Sequence, residues 1–332
     1  MRSLRIIGLP FSWLYGFVVF LRNYCYDKGV FTSNTFDTPI VCIGNLSLGG
    51  TGKTPMTELL LRNLKETYNI AVLSRGYGRK SKGFVWGHDT QEVKALGDEP
   101  FQIQSKFPDV TVAVDANRSA GIRILESEIS PELIVLDDGF QHRKVKADYA
   151  ILLTAYGNLY VDDYYIPSGS LRDHKNQVKR ADTIVVTKCP RDIDQETMEE
   201  VRNRLQPLEH QQVLFSTIVY ERELRGTQNN ISLESLKNKR ITLVTGIAIP
   251  GPLVSFLEAE GIIVEHLSFR DHHFFSTEEI TLFNSKEIVL TTEKDYVRLE
   301  GKVKDLYYIE MAHGFIGEGE ASLLQAIRTF VN

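Results

Sequence analysis

From Thr38 to Thr187, short continuous apolar runs alternate with segments whose apolar residues fall at helical spacing. "PIVCIG", "NIAVLS", "VTVAVD", "LIVLDD", "YAILLT" and "DTIVVTK" have the length and composition of strands. Runs apolar at every position suit parallel strands covered on both faces. Helical patterns separate several of them, as over Lys53–Lys65 and Ala116–Ile129. This βαβ alternation predicts an α/β fold with a doubly wound sheet. A helix is expected at "DIDQETMEEVRNRL", and the alternating "QQVLFSTIVYERELRG" reads as extended linker strands. A second cycle opens at "RITLVTGI" and runs through "GIIVEHLSF", "EIVLTT" and "DLYYIE" to a final helix over Gly319–Phe330. The expected domains are an N-terminal helix (1–30), a first lobe (31–207), an extended linker (208–240) and a smaller C-terminal α/β lobe (241–332).

The beginning of the chain breaks this pattern. From Ile6 to Leu21 there is no charged residue, and Arg2, Arg5 and Arg22 bracket the run. It is shorter than the roughly 20 apolar residues of a spanning helix, and Pro10, Ser12 and Gly16 interrupt it. Phe11, Leu14, Tyr15, Val18 and Leu21 share one helical face; Ser12, Gly16 and Asn23 lie on another. One reading is a helix packed on the core. The preferred one is a membrane-associated helix in the interface, with its arginines among anionic headgroups. No small-residue cleavage site follows, which argues against a signal peptide.

Composition narrows the function by exclusion. A net charge of −5 over 332 residues gives no basic surface for nucleic acid. Three scattered cysteines, Cys25, Cys42 and Cys189, offer neither a zinc motif nor a disulfide framework. Active sites in such folds lie beyond the carboxyl ends of strands, so the strand exits carry the argument.

The first exit is "GNLSLGGTGKTP". A P-loop closes backbone amides around phosphate oxygens at a helix N-terminus, with Lys neutralising charge and Thr holding Mg²⁺. Gly52, Lys53 and Thr54 match, while Ser47 stands where the motif's first Gly belongs. Ser47, Leu48, Gly49, Gly50, Thr51, Gly52, Lys53 and Thr54 are therefore the expected nucleotide-binding residues. The second exit, "LIVLDDGFQHR", resembles a Walker B strand whose Asp137 would hold Mg²⁺, with Asp138 sharing that task or contacting substrate. Further exits present Arg75 and Arg79, Asp98 and Glu99, Arg118, Arg172 with Asp173, and Asp271 with His272, all expected in loops. A GTPase would read guanine through an NKxD-type motif; "VVTKCP" puts Pro190 in place of its Asp, so adenine is the default base. A partitioning-type ATPase switch would carry Lys where Leu48 stands, and stays a weak alternative.

In order along the chain, "GGTGKTP", "LSRGYGR", "GDEP", "DDGFQHR", "GSLR", "TGIA", "DHH" and "TTEKD" resemble the tetraacyldisaccharide 4′-kinase family of lipid A biosynthesis. The resemblance runs from the N-terminal helix to about residue 298. It implies a P-loop NTPase-like fold and ATP-dependent phosphorylation of the 4′-hydroxyl of a tetraacylated glucosamine disaccharide 1-phosphate, giving lipid IVA. It also implies Mg²⁺ and attachment to the cytoplasmic face of the bacterial inner membrane; the chain is expected to act as a monomer. "LRDH" departs from the family's LREP, which puts any role of Asp173 in doubt, and "TGIAIP" from its TGIANP. Within this scheme Lys53 bridges the β- and γ-phosphates, and Thr54 and Asp137 hold Mg²⁺ with help from Glu99 or Asp138. Arg118 and Arg172 clamp the transferring group or the acceptor's 1-phosphate. The resemblance points to Asp98, supported by His272, as acceptor of the hydroxyl proton, the two meeting when the lobes close over substrate.

Overall fold

The computed structural model describes residues 2–90, 92–226 and 229–331, the side chains of 2–7 excepted. The chain runs through helix α1 (Arg2–Asp27), strand β1 (Ile40–Asn45), α2 (Lys53–Leu64), β2 (Ile70–Ser74), β3 (Val85–Trp86), α3 (Val93–Leu96), α4 (Asp98–Lys106) and β4 (Thr111–Val114). There follow α5 (Arg118–Glu128), β5 (Leu133–Leu136), β6 (Tyr149–Ala155), β7 (Thr183–Thr187), α6 (Gln195–Leu205) and β8 (Gln212–Tyr220). Then come β9 (Glu223–Gly226), β10 (Ile231–Ser232), β11 (Arg240–Thr245), α7 (Gly251–Ala259), β12 (Ile263–Ser268) and α8 (Thr277–Asn284). The last elements are β13 (Val289–Thr292), α9 (Glu293–Leu299), β14 (Leu306–Ile309), β15 (Met311–Phe315) and α10 (Gly319–Val331).

Among the described residues these strands form two sheets, of nine and six strands. The larger has the order β15-β8-β7-β6-β1-β5-β2-β4-β3, parallel except for β3 and β15 at its edges. Its central strands are apolar at every position because helices cover both faces; Ile40, Ile43, Val72, Ile134 and Ile151 are all fully buried. β5 and β6 flank β1 on opposite sides, so the winding reverses at β1 and a crevice opens beyond its carboxyl end. The doubly wound sheet and the second α/β lobe match the expectation. The smaller sheet has the order β10-β9-β14-β13-β11-β12.

The expected domain boundaries need correction. Residues 208–240 are not a free linker: β8 pairs in parallel with β7 in the first sheet, and β9 joins the second. Nor does the C-terminal lobe run to 332. After β14 the chain returns, β15 pairs with β8, and α10 buries Leu323, Leu324 and Ile327 against the first lobe's core beside Leu61 and Leu64. The alternation in 212–220 reflects a strand near a sheet edge, covered on one face more than the other. The second lobe is thus held to the first at both ends, by β8–β9 and by β14–β15.

Helix α1 inverts the usual arrangement of an amphipathic helix. Ser12, Val19 and Asn23 are buried against the protein, and Gly16 lies so close to Tyr165 that a Cβ would sit 2.6 Å from its ring. Phe11, Trp13, Leu14, Phe17, Val18, Phe20 and Leu21 are exposed, Trp13 at 77%. Tyr15 differs from the face assigned to it: its hydroxyl donates to the Arg172 carbonyl at 2.9 Å. No helix among the described residues is long and apolar enough to cross a membrane. The side chains of Arg2 and Arg5 lie outside the described residues.

Candidate active site

The loop after β1 is shaped by its glycines. Gly52 caps α2 in the left-handed region (φ 90°), where a side chain would be strained and would also strike the His313 ring at 2.8 Å. A Cβ on Gly49 or Gly50 would meet nothing within 4 Å, so the loop's inner surface is open. Polar contacts brace the outside. Asn45 Nδ2 donates to Thr51 Oγ1 (2.9 Å), Thr187 Oγ1 to the Thr51 carbonyl (2.9 Å) and Ser47 Oγ to Asp163 (3.1 Å). Leu48 N donates to the Ser170 carbonyl at 2.6 Å, tying the loop to the "GSLR" segment. Thr187 of "VVTKCP" therefore serves the loop through a hydrogen bond.

Asp137 and Asp138 leave β5 with different partners. Asp137 is 1% exposed; Ser74 Oγ donates to one oxygen at 3.2 Å, and the other, Oδ1, has no partner. Burial, then the charges of Glu99 and Asp138, push its carboxyl up to about 7. That unpartnered buried oxygen fits a divalent cation, with Thr54 at the start of α2 and Glu99 at the start of α4 as the other oxygen donors. Asp138, at φ 50°, is committed elsewhere. Arg172 donates to both its oxygens through a bidentate pair, and Lys53 Nζ lies 3.8 Å away. Burial would raise its carboxyl, but Lys53 and Arg172 outweigh it and hold it below the ordinary range. The structure presents Asp138 as the partner of Arg172 and Lys53.

Arg118 also differs from expectation. It is the first residue of α5, only 2% exposed, with one guanidinium nitrogen donating to the Asp115 carbonyl at 2.9 Å and Nε unpartnered. Burial brings its pKa down to about 10. Arg79 donates to the Gly83 carbonyl (2.6 Å) and to Ser81 (3.1 Å), closing its own loop.

The second centre forms where the lobes meet. Asp98 and Glu99 open α4, at a helix N-terminus that favours negative charge, where a loop was expected. His272 Nδ1 donates to Asp98 Oδ2 at 2.6 Å, across 174 residues of sequence, with no ligand needed to join them. Lys294 Nζ lies 3.1 Å from His272 Nε2. A lysine ammonium only donates, so Nε2 is the acceptor and the proton sits on Nδ1. Tyr77, from the "LSRGYGR" loop, packs on the His272 ring at 5.6 Å. Sequence reasoning missed the third member. Arg298, buried on α9, donates to Asp98 from Nε (3.0 Å) and a terminal nitrogen (2.6 Å). Burial alone would raise the Asp98 carboxyl; His272 and Arg298 outweigh it and hold it at about 2. Arg298 follows the quoted "TTEKD" closely in sequence, but nothing in its own spacing set it apart from a surface arginine.

One further residue was not singled out. Gln141 Nε2 donates to the Asn45 carbonyl, and Arg22 of α1 donates to the Gln141 carbonyl. Asn23 Nδ2 donates to Asp173 Oδ1 at 2.7 Å, so the divergent Asp173 is a buried anchor for α1.

A glycine-shaped loop running from a buried parallel strand into a helix N-terminus, with a buried carboxylate at the exit of the neighbouring strand, defines a P-loop phosphate-binding fold. Known proteins carry this to a family. The model of the family described as Tetraacyldisaccharide-1-P 4′-kinase (LpxK) matches residues 4–331. A tetraacyldisaccharide 4′-kinase of Flavobacterium johnsoniae is 45% identical over 99% of this chain and 98% of its own length. One from Bacteroides thetaiotaomicron is 44% identical over 87% of this chain and 82% of its own. A crystal structure of LpxK from Aquifex aeolicus in complex with ATP superposes with a TM-score of 0.80 at 30% identity, covering 99% of this chain and all of that one. The chain belongs to the tetraacyldisaccharide 4′-kinase family, which sets aside the partitioning switch.

Proposed function

We propose that this kinase transfers the γ-phosphoryl group of ATP to the 4′-hydroxyl of a tetraacylated glucosamine disaccharide 1-phosphate, giving lipid IVA. Amides of Ser47–Thr54 would receive the phosphates, and Lys53 would stabilise the charge that develops between the transferring phosphoryl group and the leaving ADP. Mg²⁺, held by Thr54 and Asp137 with Glu99 nearby, would supply charge neutralisation on the phosphates. Arg172, held by Asp138 and by Asn45 at the end of β1, is suited to the transferring group or the acceptor's 1-phosphate. Arg118, buried at the start of α5, adds positive charge that acts on the two aspartates.

The observation that carries the acceptor assignment is the occupancy of Asp98. A carboxylate offers about four lone-pair sites, and three are filled by Arg298 and His272. The free one is on Oδ1, where a sugar hydroxyl can donate. A carboxyl held at about 2 is a weak base. It aligns the hydroxyl early and takes its proton late, which a loose phosphoryl-transfer transition state tolerates. His272 and Arg298 keep the carboxylate oriented as that proton moves. The exposed apolar face of α1 supports docking on the cytoplasmic face of the inner membrane, leaving the acyl chains in the bilayer. The purified protein should convert the lipid disaccharide 1-phosphate and ATP to a bisphosphate; ATP hydrolysis without phosphorylated lipid would reject the assignment.

A further inference from the structure

Away from the phosphate loop, three buried carboxylates converge on one ammonium. Lys106 Nζ, at the last residue of α4, lies 2.7 Å from Glu58 of α2, 2.7 Å from Glu293 of α9 and 2.7 Å from Glu310. Glu310 sits between β14 and β15, where the chain crosses from the second lobe back to the first. An ammonium has three N–H donors, and here each finds a carboxylate. The three carboxylates are spaced as metal ligands are, and Lys106 occupies the place a cation would take. Arg62 and Arg225 reach Glu310 from outside. Burial pulls against the charge of Lys106, but the carboxylates together outweigh it and hold the ammonium above the usual lysine range.

The elements joined at this point are the ones that carry the active site. α2 begins with Lys53, α4 begins with Asp98, and α9 carries Arg298. α4 and α9 are bolted at both ends: Asp98 with Arg298 at one, Lys106 with Glu293 at the other. Gln102, one turn before Lys106, adds a 2.8 Å bond to Glu58. We infer that Lys106 is a positioning residue for phosphoryl transfer: by binding the phosphate-loop helix, the Asp98 helix and the second lobe together, it sets the distance between the donor phosphates and the acceptor-orienting carboxylate. Misplacement of reacting groups by about 1 Å costs on the order of a hundredfold in rate, so rigidity here acts on turnover more than on nucleotide affinity.

This inference rests on the acceptor role of Asp98 proposed above, and the experiment separates the two. Full-length enzyme in detergent is assayed with lipid disaccharide 1-phosphate, and its competent sites are counted by binding of a fluorescent ATP analogue. Lys106→Met should lower kcat per nucleotide site by roughly tenfold or more, with KM for ATP changed less than about threefold. Lys106→Met also leaves a buried carboxylate unpaired, so it is paired with Lys106→Met/Glu293→Gln, which removes the carboxylate that has no other cation among the described residues, Glu58 and Glu310 keeping Arg62. The double variant should regain thermal stability and stay slow. It carries the test if the single variant does not fold. Turnover per site within about twofold of the parent in either variant, or recovery of rate together with stability, would overturn the inference. Asp98→Ala is the control: if it turns over normally, the acceptor reading has failed; if it is slow while Lys106→Met is normal per site, only the role of Lys106 has failed.

Discussion

The phosphate loop and the Asp98 centre are built in opposite ways. The loop is one continuous segment between β1 and α2, with glycine at left-handed φ and a helix N-terminus presenting amides. Its braces all come from the first sheet and its loops. The Asp98 centre takes one residue from α4, one from the turn after β12 and one from α9, 174 and 200 residues away in sequence. A contiguous loop survives changes in how the lobes pack; a centre spanning two lobes exists only while both are in register. The first is a binding device, the second a positioning device. Substitutions in the two should therefore fail differently.

The largest expected effect is at the loop. Lys53→Ala should lower kcat/KM by about 10²- to 10³-fold, with unchanged circular dichroism and membrane association, because a phosphate-stabilising charge is lost without disturbing the core. Near-normal turnover would break the comparison at its firmer end. Next comes the composite centre. Asp98→Ala and His272→Ala should each lower kcat by roughly a hundredfold while ATP affinity changes little, and the double variant should lose less than the sum. Additive losses, or recovery of Asp98→Ala at high Mg²⁺, would mean that this end only organises metal.

A smaller effect is expected outside both centres. Leu14→Ser/Phe17→Ser/Leu21→Ser should release protein from vesicles and slow phosphorylation of vesicle-borne substrate by roughly tenfold, while leaving detergent activity intact. Loss in detergent as well would show that the exposed face, and not only Tyr15, Arg22 and Asn23, supports the catalytic loops.

The smallest effect lies in acid. The Asp98 carboxyl is held at about 2, below its ordinary 3.8, so its charged form stabilises the fold at neutral pH. That contribution is complete above the unfolded value and is lost as pH falls through the folded one, a window from about 4 down to about 2. It amounts to about 2 kcal/mol. Asp98→Asn should therefore melt below the parent at pH 7, and the gap should close as the pH approaches 2.

Several parts of this protein were legible because short-range physics fixes them. Continuous apolar runs gave the buried parallel strands, GGTGKT gave the nest, and an acidic pair at a strand exit gave Asp137. The uncharged stretch before Leu21 gave an amphipathic helix, though not which face would be covered. Residues whose meaning depends on distant partners were not legible. Arg298 has ordinary neighbours in sequence, and only docking of α9 on α4 turns it toward Asp98. His313 lies in a short edge strand, yet its ring holds the Gly52 carbonyl at 2.8 Å across 261 residues. That Asp138 would pair with Arg172 was likewise invisible, because the two are 34 residues apart. The final helix was expected in the second lobe and the strand before it was not expected at all, because period and composition say which face must be buried but not against which neighbour. Local sequence determined which backbone could close around phosphate. Tertiary packing alone decided which charges would share one buried volume, because bringing them together costs desolvation that only their mutual contacts offset.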